Sequence, residues 1–114
     1  MTTSSVPPVF INAVGTAVPP FSLNQQTADR LMTAHYKDEL SPRALDVLHR
    51  SLAHPSIEQR HLAVDSPAQL LTLKNEDPDA RVARFTRWAV KLGAQAATAA
   101  LTKAGVDTPD VTAL

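Results

Sequence analysis

The stretch DPDARVARFTRWAVKLGAQAATAALTKAG, Asp77–Gly105, predicts one long helix. Its start combines a side-chain acceptor at Asp77, a proline at the first helical position and an acid in the first turn. Its end combines Lys103 in the last turn with Gly105, where a left-handed residue is favoured. At 100° per residue the polar side chains fall within a sector of roughly 80°, and they are Arg84, Arg87, Lys91, Gln95 and Thr98.

The remaining circumference of this helix is mostly apolar. Its apolar side consists of Val82, Phe85, Ala89, Leu92, Ala96, Ala99 and Ala100. A surface helix of a small domain needs an apolar stripe only somewhat wider than about 100°. We therefore expect neighbours on most sides of this helix, and the alanines of its second half would let a neighbouring backbone come close.

The composition is that of a neutral chain without cysteine. The 114 residues include 11 basic and 11 acidic side chains. Neutral, interspersed charge does not favour a nucleic-acid or membrane-surface binder, and no apolar run approaches the length of a membrane span. Without cysteine these residues can form no disulfide, zinc–thiolate site or cysteine nucleophile. The first residues lack a basic-then-apolar signal pattern, so we expect a cytoplasmic protein.

The N-terminal part predicts a strand followed by a helix. Val9–Ala17 is nearly continuous in apolar and small residues, which is typical of a strand covered on both faces. The pattern Ser22-x-x-Gln25 is a candidate capping box for a first helix. That helix is expected to run through about Tyr36.

Further along, the chain predicts more helix and two extended segments. Ser41-Pro42 begins a second helix, which closes before Pro55. Residues 57–64 are expected to be extended, and Ser66-Pro67 opens a short helical turn over 68–73. Residues 111–114 have the pattern of the first residues of a second strand.

Together these elements predict an α/β fold whose sheet has too few strands. A lone strand cannot satisfy its backbone groups, and a two-stranded sheet is marginal by itself. The order strand, helices, long helix, strand suggests a right-handed parallel crossover. We therefore expect a flexible N-terminus over residues 1–8 and, over residues 9–114, part of a layered domain that is truncated or split here.

Four stretches carry a likeness to a known family, in their order and spacing. They are Ile11–Pro19 with its Gly-Thr-Ala-x-Pro, Ile57–His61 with Ile-x-x-Arg-His, Asp79–Phe85 followed by a helix ending Ala99–Gly105, and Asp110–Leu114. The chain after residue 8 resembles the N-terminal part of thiolase-fold acyl-CoA condensing enzymes. It is most similar to the type III polyketide synthases, the chalcone and stilbene synthase family. The resemblance implies the N-terminal portion of a thiolase-like layered fold.

The resemblance also implies the chemistry of the parent enzyme. In that family a cysteine accepts an acyl group from a CoA thioester, and a histidine and an asparagine hold the oxygen of the carbanion formed from malonyl-CoA. All three positions fall beyond residue 114, so the resemblance implies no catalytic residue here and an inactive fragment. It implies a homodimeric acyltransferase that uses acyl-CoA and malonyl-CoA as substrates without a cofactor, with the remaining polypeptide as partner.

The same resemblance implies a CoA-binding site on the second helix, formed by Arg50 and His54. Arg50 matches a basic position that contacts the CoA phosphates in the family, and an arginine fork suits phosphate. His54 and Val47 fall where the plant enzymes have lysines, which departs from the family pattern. Arg43 lies two turns before Arg50 on a similar face. The alternative interpretation is an ordinary solvated basic face.

Other prominent side chains are predicted to be structural. Arg60 should pin the segment after the second helix by hydrogen bonds to carbonyls or an acid. The four histidines lack metal-binding spacing, so no metal site is predicted. Trp88 is expected to be a half-buried packing residue. Gly15 should mark a turn where the backbone passes close to its neighbours.

Two other functions stay open at this point. The ketoacyl-acyl-carrier-protein synthase III group shares the fold, the Ile-x-x-Arg-His pattern and a cysteine nucleophile, but it uses a carrier protein. A small, non-catalytic helical interaction module belongs to a different class. The predicted strand at Val9–Ala17 and a chain that stops as a strand begins argue against such a module.

Overall fold

The computed structural model describes residues 5–113, and these residues combine four α-helices with one two-stranded antiparallel sheet. In chain order the elements are β1 (Phe21–Asn24), α1 (Gln25–Tyr36), α2 (Pro42–Leu52), β2 (Gln59–Leu62), α3 (Pro67–Leu70) and α4 (Pro78–Ala104). Short 3₁₀ helices cover Leu73–Asn75 and Thr108–Asp110. The structure is therefore mixed α and β, which agrees with the predicted fold class at that level.

The described residues form two compact units. One unit is Val18–Ala89, which contains the sheet and helices α1 to α3. The other combines the chain before Val18 with the chain from Val90 onward, and helix α4 contributes to both. Of the predicted flexible N-terminus, residues 1–4 lie outside the described residues, and residues 5–8 belong to no helix or strand.

The small sheet joins two segments that are far apart in the chain. β1 and β2 pair antiparallel, with Leu23 opposite Arg60. Because successive side chains point to opposite faces of a sheet, Arg60 and Leu62 share one half-buried face, whereas His61 between them is exposed. The extended conformation predicted for residues 57–64 is confirmed where β2 forms.

Helix α1 starts later than the capping-box pattern predicts. Ser22 lies in β1, where its hydroxyl accepts a hydrogen bond from Gln59 Nε2 at 3.1 Å. The N-cap is Asn24, whose Oδ1 accepts from Thr27 N at 2.7 Å. The predicted start at Ser22 is wrong because pairing with a distant strand takes that residue out of the helix. The predicted end at Tyr36 is confirmed.

Helix α2 begins and ends as predicted. Ser41 Oγ accepts from Ala44 N at 3.2 Å, and Pro42 occupies the first helical position, where its missing N–H costs no intrahelical bond. The last residue, Leu52, is buried. The buried apolar residues among those described are Ala28, Leu52, Val64 and Trp88.

The predicted strand at Val9–Ala17 does not form among the described residues. The parallel crossover built on it is wrong for these residues too, because their sheet is antiparallel and formed by other segments. A strand exists only as a member of a ladder, and residues 5–20 have none beside them. Residues 111–113 form no strand either, and Leu114 lies outside the described residues.

The segment around Gly15 nevertheless lies close against the second half of α4. Burial alternates residue by residue from Ala13 to Ala17, which is typical of an extended backbone with one face against a surface. A Cβ added at Gly15 would lie 2.1 Å from Ala96 O and 2.5 Å from Ala100 N. The close backbone approach predicted for Gly15 and the alanines is therefore present, in an extended segment and not in a turn.

Helix α4 matches the predicted long helix in both of its ends. Asp77 Oδ1 accepts from Asp79 N at 2.8 Å and so caps the start. Gly105 follows the last helical residue with φ of 67°, the left-handed conformation that glycine adopts without strain.

The first half of α4 packs on a different side from the one predicted. Val82 and Phe85, on the predicted apolar side, are 63% and 70% exposed. Trp88 is only 8% exposed, so its predicted half-burial is wrong, and Arg84 of the polar sector is half-buried. The hydrogen bonds of Arg84 explain why the polar side of α4 is the buried one here, because a polar side chain can face the interior once its donors have acceptors.

Candidate functional site

The two predicted CoA-binding residues line one shallow depression on the outer side of α2. The depression has a volume of about 550 Å³, and its lining residues are Val47, Arg50, Ser51, His54 and Ser56. Arg50 and His54 are therefore brought together, whereas Arg43 is not among the lining residues. The depression is open and the Arg50 side chain is 69% exposed, so a large, charged ligand could reach it.

Arg50 has an acidic neighbour that sequence reasoning missed. Arg50 Nη2 lies 2.7 Å from Asp46 Oδ2, one helical turn earlier. An exposed pair of this kind contributes little to stability because both charges stay hydrated. The guanidinium therefore remains available, but an incoming phosphate would meet the negative charge of Asp46. An acid four residues before an arginine is the signal that would have identified it.

His54 is held in place by Ser56, which sequence reasoning also missed. The backbone N–H of Ser56 donates to His54 Nδ1 at 3.2 Å, and Ser56 Oγ lies 2.8 Å from the same nitrogen. A ring nitrogen that accepts hydrogen bonds carries no proton, so in this arrangement Nε2 bears the N–H. His54 can then offer Nε2 as a donor to an anionic ligand.

A histidine–carboxylate pair joins helices α1 and α2 beside a larger opening. His49 Nδ1 lies 2.6 Å from Asp29 Oδ2, and Thr33 Oγ1 donates to the other carboxylate oxygen at 3.2 Å. Asp29 and His49 line an opening of about 590 Å³ together with His54 and residues 24–26, 52–53, 55 and 57–58. A carboxylate at Nδ1 fixes the ring and leaves Nε2 for other partners. The pair spans two helices, so no local pattern predicts it.

Arg60 links the small sheet to the first helix. Its Nε donates to Gln25 Oε1 at 2.7 Å, and the backbone N–H of Gln25 donates to Glu58 O at 3.0 Å. These contacts fix β2 against the start of α1, which is the pinning role that the sequence predicts for Arg60. The acceptor is a side-chain amide oxygen.

A bidentate ion pair in the Val18–Ala89 unit joins Glu76 and Arg84. Arg84 donates from Nε and Nη2 to the two carboxylate oxygens of Glu76, both at 3.0 Å, and from Nη1 to Ala63 O at 3.0 Å. The hydrogen bonds from Arg84 lower the pKa of Glu76, and the positive charges of Arg84, Arg81 and Arg87 lower it further. The same hydrogen bonds raise the pKa of Arg84. This bidentate pair is structural, because it orders α4 and contacts neither opening.

Among residues 5–113, no group of three or more histidine, aspartate or glutamate side chains could hold a metal ion. In that same part of the chain, every helix is too short or too polar to cross a membrane.

No protein-family model matches the chain, and no curated protein or solved structure matches it significantly.

Proposed function

We propose that this chain is the N-terminal part of an acyl-CoA condensing enzyme of the type III polyketide synthase class, with a thiolase-like fold. In this proposal the outer face of α2 binds the CoA phosphates, and the catalytic cysteine, histidine and asparagine belong to other polypeptide. The observation that carries it is the position of Arg50 and His54 on one open depression. A cytoplasmic, homodimeric parent that uses acyl-CoA and malonyl-CoA belongs to the same proposal.

The depression offers two kinds of donor to a phosphate. The guanidinium of Arg50 can donate two parallel hydrogen bonds to phosphate oxygens, and His54 can donate one from Nε2. Asp46 opposes this binding, because its carboxylate already accepts from Arg50 at 2.7 Å. We therefore expect modest CoA affinity, limited by competition between phosphate and Asp46 for the same guanidinium.

A helical interaction module is the second candidate, and one observation favours it. Val9–Ala17 forms no strand among the described residues, which removes one reason for rejecting such a module. Phe85 is 70% exposed on α4 and would belong to its contact surface. A module of this kind has no reason to bind CoA, so CoA binding distinguishes the two candidates.

The test is a calorimetric titration of CoA and of dephospho-CoA, which lacks the 3′-phosphate, into the protein. Arg50→Glu should weaken CoA binding about tenfold or more, because a charge-assisted hydrogen bond contributes about 1.5–3 kcal/mol. Asp46→Asn should strengthen it by removing the competing carboxylate. The matched control is Arg30→Glu, an exposed arginine on α1.

Loss of affinity in Arg50→Glu but not in Arg30→Glu supports the proposal. Equal losses in the two variants would indicate only a general effect of net charge. Absence of CoA binding by the unaltered protein would favour the interaction module.

A further inference from the structure

The inner face of the small sheet places a positive charge among apolar side chains. Arg60 is half-buried on the same face of β2 as Leu62, directly opposite Leu23 of β1. An arginine in such a position is expected to meet a carboxylate or another acceptor for its donors. No acidic side chain among residues 5–113 lies within ion-pair distance of Arg60.

The Arg60–Gln25 pair contains more donors than acceptors. Arg60 uses Nε to bond Gln25 Oε1, and its Nη1 and Nη2 have no hydrogen-bond acceptor among the described residues. Gln25 is only 9% exposed, and its Nε2 is buried without an acceptor in the same set of residues. Because Arg60 Nε is a donor, the Gln25 atom that it bonds has to be the amide oxygen. Exchanging the amide oxygen and nitrogen of Gln25 would therefore not supply the missing acceptor. Arg60 Nη1 and Nη2 are not among the buried atoms that lack a partner, so they are open to an incoming anion, and one with two oxygens could accept from both.

Arg60 also lines an apolar cavity on the inner side of α2. The cavity has a volume of about 330 Å³, near the lower end of the range for small-molecule sites. Apart from Arg60 and Ser51 its lining is apolar, with Leu23, Met32, Leu48, Leu52 and Leu62 among the residues. The Ser51 hydroxyl is already bonded to Val47 O at 2.8 Å, so Arg60 is the side chain with donors to spare.

We propose that this cavity binds a monocarboxylate with an aliphatic tail, a ligand of the free fatty-acid class. The tail lies among the leucines of β1, β2 and α2, and the carboxylate accepts from Arg60 Nη1 and Nη2. The bidentate geometry of guanidinium and carboxylate favours this headgroup over an alcohol or an ester. This cavity and the proposed CoA depression have different linings, and Ser51 of α2 is the one residue that lines both.

The probe is octanoate, titrated calorimetrically into the protein. Two comparison ligands are titrated in the same way: 1-octanol, which has the aliphatic tail but no charge, and acetate, which has the carboxylate but no tail. Octanoate should bind at least tenfold more tightly than either, since a charge-assisted hydrogen bond and the burial of the tail are both required. Arg60→Met should weaken octanoate about tenfold to a hundredfold and leave octanol unchanged. Arg43→Met, an exposed arginine of α2 outside the cavity, is the matched control.

Circular dichroism of each variant shows whether its helices are retained. If Arg60→Met does not fold, the comparison of octanoate with octanol on the unaltered protein still decides the question. Equal affinity for octanoate and octanol, or equal weakening by Arg60→Met and Arg43→Met, would overturn the proposal. No binding of octanoate would overturn it too.

Discussion

Gly15→Ala should release the extended N-terminal segment from helix α4. The new Cβ would lie 2.1 Å from Ala96 O and 2.5 Å from Ala100 N, which are the acceptor and donor of one hydrogen bond of an α-helix. The segment would have to withdraw by about 1.3 Å to reach an ordinary contact of 3.4 Å, because helix backbone cannot yield as a side chain can. Overpacking of this kind costs about 1–3 kcal/mol.

Opening of this segment can be measured by thiol labelling, because the protein has no cysteine of its own. Ala13→Cys places a single, partly buried thiol in the segment, and its rate of labelling by a thiol reagent reports how often the segment opens. Adding Gly15→Ala should accelerate labelling roughly fivefold to a hundredfold, which corresponds to the expected loss of free energy.

Gly93→Ala is the matched control, because a Cβ there meets nothing within 4 Å. It should leave the labelling rate unchanged and stabilise helix α4 by about 0.5–1 kcal/mol. An unchanged labelling rate in Gly15→Ala would refute the close packing of this segment on the helix.

Two further predictions concern the Val18–Ala89 unit. The hydrogen bonds from Arg84 hold the pKa of Glu76 below its ordinary value of 4.5, so the stability they supply is complete above that pH and is lost as the pH falls through the lower folded-state pKa. Urea unfolding at about pH 6 and about pH 3 should therefore show a larger acid-induced loss for the unaltered protein than for Glu76→Gln, and equal losses would contradict this role. Phe85→Glu should leave helix content and the free energy of unfolding nearly unchanged, because Phe85 is 70% exposed. Trp88→Ala should lower the free energy of unfolding by about 3–5 kcal/mol. A larger loss in Phe85→Glu than in Trp88→Ala would mean that α4 packs on its apolar side.

Helix ends are the part of this fold that local sequence predicts best. Ser41 and Asp77 each bond a backbone N–H two or three residues away, so the signal and its effect lie in the same short stretch. Gly105 acts on its own backbone. The start of α1 is different, because Ser22 is fixed by Gln59 of the other strand, which no local pattern reveals.

The packed side of α4 could not be predicted from its periodicity. The distribution of apolar residues predicts that Val82 and Phe85 face the interior. In the structure Arg84 is hydrogen-bonded to Glu76 and to Ala63 O, and the face of α4 that contains Trp88 is buried instead. These partners lie 8 and 21 residues from Arg84. Helical periodicity describes one element by itself and contains no information about such partners.

The candidate site shows the same division between local and distant contacts. The proximity of Arg50 and His54 follows from helical spacing, and so does the Asp46 partner of Arg50. The Asp29–His49 pair and the Arg60–Gln25 bond join residues 20 and 35 positions apart. They depend on how α1 packs against α2 and β2, which only the structure provides.

The burial of Trp88 gives the protein an intrinsic optical reporter. It is the single tryptophan of the chain, and it lies in the Val18–Ala89 unit, to which both proposed ligand sites belong. An indole transferred from an apolar interior to water emits at longer wavelength, so the emission maximum follows the packing of this unit without any added dye. The same measurement gives no information about residues 9–17, which contain no tryptophan and therefore need an introduced label.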